Sequence, residues 1–66
     1  MSEVGTVKRF FDKGYGFITP DSGGEDIFVG DKNLRPGYLP KPGDRVIYDV
    51  VTDRQGRQRA TNVRPA

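Results

Sequence analysis

Glycine and proline interrupt this chain so often that long regular elements are excluded. Nine glycines and five prolines are spread over 66 residues, and the longest stretch free of both covers residues 44–55. Glycine weakens helices and strands alike, and proline removes a backbone donor that a helix interior needs. We therefore predict short elements joined by turns, without long helices.

The uninterrupted stretch is typical of a β-strand. Val46, Tyr48 and Val50 recur at a two-residue period, and their apolar neighbours are mostly β-branched. Turn-forming residues delimit four further strand-like segments, which are residues 4–10, 14–19, 26–29 and 57–64. Residues 20–24 and 53–56 are interpreted as hairpin turns, and residues 31–42 as the long connection, with room for a single helical turn. Five short strands favour an all-β small barrel.

The composition argues against several classes of site. The chain has no cysteine and no histidine, so the common zinc ligands, the thiol nucleophile and the imidazole base are absent. We predict no catalytic residue, no metal and no cofactor, and we interpret the chain as a non-enzyme. No apolar run approaches the roughly 18 residues of a membrane span. We therefore expect a cytoplasmic protein without a membrane partner.

Charge is distributed unevenly along a chain whose formal net charge is only +2. Residues 1–33 carry four basic and six acidic side chains, whereas residues 34–66 carry seven basic and three acidic ones. If the second half forms one wall of a binding groove, that wall is positive and suits a polyanion.

Residues 13–18 are the most informative segment. Successive side chains of a strand point to opposite faces, so Lys13, Tyr15 and Phe17 are predicted to share one face, opposite Ile18. Glycines alternate with the two rings and allow the strand to bend as a small barrel requires. An aromatic pair is thus presented beside a cation.

The next strand adds a third ring to that face. If Ile27 and Val29 are core residues, Phe28 must point outward beside the two rings of the preceding strand. Leaving such rings in water forfeits about 1.5 to 3 kcal/mol of burial for each, so the arrangement calls for a ligand. Bases of a single-stranded nucleic acid stack on platforms of this kind.

Four segments resemble the bacterial cold-shock protein family, namely residues 5–8, 13–18, 26–29 and 60–63. The resemblance covers essentially the whole chain and implies one cold-shock-like domain over residues 1–66. It also implies a five-stranded antiparallel barrel of the oligonucleotide-binding (OB) type. That family binds single-stranded RNA and DNA and includes RNA chaperones. The nucleic-acid-binding residues predicted here, by motif and by position, are Lys8, Arg9, Phe11, Lys13, Tyr15, Phe17, Phe28, Tyr38 and Arg57.

The sequence also departs from the family pattern. Arg9 stands where the family usually has Trp, and Gly30 and Asp31 stand where it has His and an aromatic residue. Arginine stacks on bases and pairs with phosphate, so Arg9 compensates in part, and Phe11 is expected to replace a lost ring. Because glycine cannot stack and a carboxylate repels phosphate, we expect weaker or differently focused binding.

Alternatives remain open at this stage. The aromatic face suits a protein-interaction module with weakened nucleic-acid binding, which Gly30 and Asp31 favour. The basic half suits contacts with structured RNA through Arg57 or Arg59. Tyr38 is left open between a stacking ring and an anchor of the long loop. We expect a monomer, with a domain-swapped dimer as the other possibility.

Overall fold

Five strands and one short 3-10 helix make up the computed structural model, which describes residues 2–66. The strands are β1 (Ser2–Phe11), β2 (Tyr15–Pro20), β3 (Ile27–Gly30), β4 (Arg45–Thr52) and β5 (Gln58–Pro65), and the 3-10 helix is Asp31–Asn33. All five predicted strands are confirmed, with their ends shifted slightly, as is the single helical turn in the long connection. Within residues 2–66, no helix is long and apolar enough to cross a bilayer.

The strands form a closed barrel in the order β1-β2-β3-β5-β4, with β4 returning to β1. Four of the pairs are antiparallel, as predicted, whereas β3 and β5 run parallel. The parallel pair follows from the odd number of strands. If strand direction alternates around a closed ring of five, the first and fifth strands of the ring run in the same direction. At least one neighbouring pair must therefore be parallel.

The core consists of eight buried apolar residues contributed by all five strands. They are Val7, Ile18, Ile27, Val29, Val46, Tyr48, Ala60 and Val63. Strands β3 and β4 each supply two of them at the two-residue period seen in the sequence. In β5 the spacing is irregular, because Asn62 adopts a φ of 53° in an irregularity opposite β4 and lets Ala60 and Val63 both face inward.

A second irregularity, in β1, decides which side chains reach the outer face. Val7 pairs with Ile18, and the next pair along the ladder is Arg9 with Phe17. Lys8 is therefore an extra residue, which is the definition of a β-bulge. Regular alternation from the buried Val7 would point Phe10 outward and Phe11 inward. The bulge reverses these two directions.

Candidate nucleic-acid interface

Four aromatic rings lie together on the outer face of β1, β2 and β3, and we call them the aromatic platform. They are Phe11, Tyr15, Phe17 and Phe28. The centroids of Phe11 and Tyr15 are 4.9 Å apart, and those of Tyr15 and Phe28 are 5.9 Å apart with an interplanar angle of 16°. All four rings are half-buried, so each keeps part of its surface open to solvent.

Strand alternation places three of these rings as the sequence predicted. Tyr15 and Phe17 point outward from β2, while Ile18 is fully buried on the other side. Phe28 points outward from β3 and pairs directly with Phe17, so their centroids are 6.0 Å apart. Adjacent strands thus bring residues that are distant in sequence into one surface.

Phe11 joins the platform because of the Lys8 bulge. Past the bulge, Phe11 pairs with Tyr15 and lies on the same outer face. Its ring also contacts Phe17 edge to face, with centroids 6.5 Å apart and planes at 85°. The contacts give Phe11 the position that a further stacking ring would need.

Lys8 borders the platform but is already engaged. Its Nζ atom lies 3.0 Å from Oδ2 of Asp26, and both side chains are largely exposed. The hydrogen bond from Lys8 lowers the pKa of Asp26, so that carboxylate stays ionised at neutral pH. Arg9 is exposed and lines the same shallow depression as Lys8 and Phe17.

Arg59 contacts the platform, although it was not among the predicted nucleic-acid-binding residues. Its guanidinium carbon lies 4.9 Å from the ring centroid of Phe28, a cation–π contact. The position follows from the parallel β3–β5 ladder, in which Phe28 and Arg59 are partners. The alternation of side chains along β5 could have indicated this position. Ala60 faces the core, so the preceding residue, Arg59, must face outward.

Arg57 and Arg59 are both tethered to Asp53 in the β4–β5 turn. The Asp53 carboxylate accepts hydrogen bonds from the backbone N–H groups of Gln55 and Arg57 and from Nε of Arg59. These bonds, the Arg57 backbone bond foremost, lower the pKa of Asp53 to about 2. The Arg57 side chain itself stays exposed and lines a depression with Phe17 and Phe28.

Lys13 and Tyr38 occupy positions unlike those of the other predicted residues. Lys13 is exposed in the turn before β2, where Gly14 has a φ of 95°, so strand alternation does not orient it.

Tyr38 packs against the core, and its hydroxyl donates to Asp44 Oδ2 at 3.0 Å. Burial chiefly raises the pKa of Tyr38 to about 12. The ring anchors the long loop and, within residues 2–66, makes no ring contact with the platform.

The sequence matches a known domain family. Residues 3–66 match the family model described as the 'Cold-shock' DNA-binding domain. The chain belongs to the cold-shock domain family. Proteins of this family generally bind nucleic acid and are not enzymes. Between positions 2 and 66, no three His, Cys, Asp or Glu residues form a group able to hold a metal ion.

Relatives of this cold-shock domain occur in bacteria and in eukaryotes. The chain is 46% identical over 67 residues to a cold shock-like protein of Aquifex aeolicus and covers 94% of its length. It is 41% identical over 66 residues to the cold shock protein CspA of Rhizobium meliloti, of which it covers 96%. It is 47% identical over 62 residues to Glycine-rich protein 2 of Nicotiana sylvestris but spans only 29% of that protein.

A solved structure supports the fold independently. The Drosophila protein titled Unr CSD456 superposes on the full length of this chain with a TM-score of 0.86, at 18% sequence identity. The chain covers 27% of that structure. At such low identity the likeness concerns the fold alone, which is the closed five-stranded barrel.

Gly30 and Asp31 lie at one end of the platform of this cold-shock domain. Gly30 pairs with Tyr15 across the β2–β3 ladder, so it lies where a further side chain would extend the platform. Asp31 is exposed at the start of the 3-10 helix, and its backbone N–H donates to the Gly14 carbonyl at 2.9 Å. The platform therefore ends at Tyr15 and Phe11 beside a carboxylate.

Proposed function

We propose that this cold-shock domain binds single-stranded RNA or DNA by stacking bases on the aromatic platform. The observation that carries the proposal is the cluster of four half-buried rings in mutual contact on one outer face. Apolar rings left partly in water gain free energy when a flat base covers them, about 1 to 3 kcal/mol for each stacked base. Every base has such a face, so stacking tolerates many sequences.

The cations around the platform support a path for the phosphate backbone. Five of them border the rings or the adjoining turns, namely Lys8, Arg9, Lys13, Arg57 and Arg59. Each phosphate neutralised on a single strand releases counterions and contributes about −0.7 to the slope of log affinity against log salt. A salt titration therefore separates the two contributions: ion pairs with phosphate set the slope of affinity against salt, whereas base stacking depends little on salt.

We also propose that the domain acts as an RNA chaperone or cold-shock-type regulator. A base that stacks on the platform is removed from its helix, so binding shifts a hairpin toward its open form. Such an activity requires access to transcripts, and the proposal therefore includes a cytoplasmic location. An RNA hairpin carrying a fluorophore and a quencher at its ends reports this opening directly, with Phe17→Ala as the comparison.

The test of binding is fluorescence anisotropy with labelled oligouridine and oligothymidine of equal length at two salt concentrations. Phe17→Ala removes a ring that contacts all three of the others, as Tyr15 also does, so we expect affinity to fall by about 5- to 150-fold. Val4→Ala is the matched control, because Val4 is an exposed apolar residue on β1 that lies outside the platform. Equal affinities for wild type and Phe17→Ala would refute the platform.

A protein-docking function on the same face is the second candidate. Gly30 and Asp31 favour it, since glycine offers no ring for a base to stack on and a carboxylate repels phosphate. Docking through apolar rings depends little on salt, whereas strand binding weakens steeply. No detectable oligonucleotide binding at tens of micromolar protein would favour this candidate over the first.

A further inference from the structure

A depression next to Phe11 differs chemically from the rest of the platform. Its floor and walls include the rings of Phe10 and Phe11 together with Leu39 and Pro40 of the long loop, and Asp12, Asp31 and Lys41 border it. Leu39 is 76% exposed, so this apolar surface is open to a ligand. The depression continues the platform, because Phe11 belongs to both.

The Asp31 carboxylate lies at this end of the platform and is free to accept hydrogen bonds. Its backbone is tied to Gly14, and its Oδ2 atom would lie only 2.8 Å from a Cβ at that position. A side chain at position 14 would force this carboxylate to shift. Within residues 2–66 the carboxylate takes part in no ion pair and in none of the side-chain hydrogen bonds.

Gly30 supplies open space between this carboxylate and the rings. Its φ of −99° is ordinary strand geometry, so the backbone does not require glycine there. A Cβ at Gly30 would have only Cε1 of Phe28 within 4 Å, at 3.9 Å. The missing side chain therefore leaves room beside Tyr15 for the edge of a stacked base.

We propose that Asp31 selects guanine in a strand held on the aromatic platform, an inference that rests on the proposed function. An ionised carboxylate only accepts hydrogen bonds. Guanine presents two adjacent donors, N1–H and the N2 amino group, which match the two carboxylate oxygens as a guanidinium does. Uracil and thymine present one N–H between two carbonyl oxygens, which repel a carboxylate. Adenine and cytosine each present one amino donor beside a ring acceptor. Their affinities are therefore expected to lie between those of guanine and uracil.

The experiment compares labelled oligouridines that differ at one central position, which is guanosine, adenosine, cytidine or uridine. A single guanosine avoids association between strands. We expect the wild type to bind the guanosine strand about tenfold more tightly than the uridine strand, within the range found for a two-bond base contact. Adenosine and cytidine should give intermediate affinities.

Asp31→Asn is the decisive variant, and Asp49→Asn is its matched control. Both remove one negative charge, but Asp49 lies on β4 and contacts Ser2, away from the platform. Asp31→Asn should bring the guanosine-to-uridine ratio close to one, chiefly by improving uridine binding. Asp49→Asn should change both affinities by the same factor and leave the ratio intact. Urea unfolding of each variant confirms that it is folded.

Three results would overturn the assignment, and they are distinguishable. Salt-sensitive, Phe17-dependent binding with equal affinities for all four strands would refute base selection while leaving the proposed function intact. A guanosine preference retained in Asp31→Asn would show that another residue reads the base. Failure of the wild type to bind any of the strands would refute the proposed function, and the inference with it.

Discussion

The ring of Phe10 lies against the backbone of Gly16, its register partner on β2, with no space for a side chain between them. A Cβ at Gly16 would run into the Arg9 carbonyl oxygen and would lie 2.7 Å from Cδ2 of Phe10. Because of the Lys8 bulge, Phe10 turns inward to the core while Phe11 turns outward. Two consecutive phenylalanines thus serve the core and the platform, and Gly16 makes room for the first.

Gly16→Ala should therefore destabilise the barrel. Forcing one carbon into this contact overpacks the core and should lower the free energy of unfolding by about 1 to 3 kcal/mol, measured by urea denaturation. Gly30→Ala is the control, since its Cβ would meet open space. It should be neutral or stabilising by about 0.4 to 1 kcal/mol. Equal losses in the two variants would contradict the packing argument.

Tyr48→Phe should stabilise the protein. Tyr48 is fully buried, and among residues 2–66 its hydroxyl has no hydrogen-bond partner, so folding removes that group from water without replacement. Deleting the hydroxyl should raise the free energy of unfolding, by up to about 1 to 3 kcal/mol. Tyr38→Phe should do the opposite, losing about 1 kcal/mol, because the Tyr38 hydroxyl donates to Asp44. A loss of stability in Tyr48→Phe would indicate that its hydroxyl is satisfied.

Acid should weaken the barrel through Asp53. Its pKa is lowered to about 2 in the folded state from its ordinary value of 3.8. The unfolded chain therefore binds the proton first as pH falls, and the stability that ionised Asp53 contributes above pH 3.8 is lost toward pH 2. Urea midpoints across this range should fall less steeply in Asp53→Asn than in wild type. An equally steep profile in the variant would assign the acid sensitivity to other carboxylates.

Asp26→Asn should strengthen strand binding. Asp26 holds Lys8 at 3.0 Å beside the platform, so its removal frees a cation for phosphate. We expect higher affinity and a salt slope steeper by about 0.7. Lys8→Gln should lower affinity. The control is Asp21→Asn, which frees Arg45 from an exposed ion pair that lies outside the platform. The same gain in both aspartate variants would mean that net charge, and not the Lys8 position, governs binding.

The fold could be predicted largely from local patterns. Alternation in β2 to β4 correctly separated buried Ile18, Ile27 and Val29 from the outward rings, because a two-residue period is a property of each strand alone. The same rule does not extend to Lys13. That residue precedes the strand, and the positive φ of Gly14 interrupts the alternation.

The sequence by itself determined the strands, their turns, the core residues of β2 and β3 and three of the four platform rings, because each depends on neighbouring residues along one strand. Only the tertiary structure decided the orientation of Phe11, since the bulge at Lys8 exists only in the pairing of β1 with β2. It also decided the contact of Arg59 with Phe28, because closing a ring of five strands forces β3 and β5 to pair in parallel. Register between distant strands is a property of the closed barrel, and no local period encodes it.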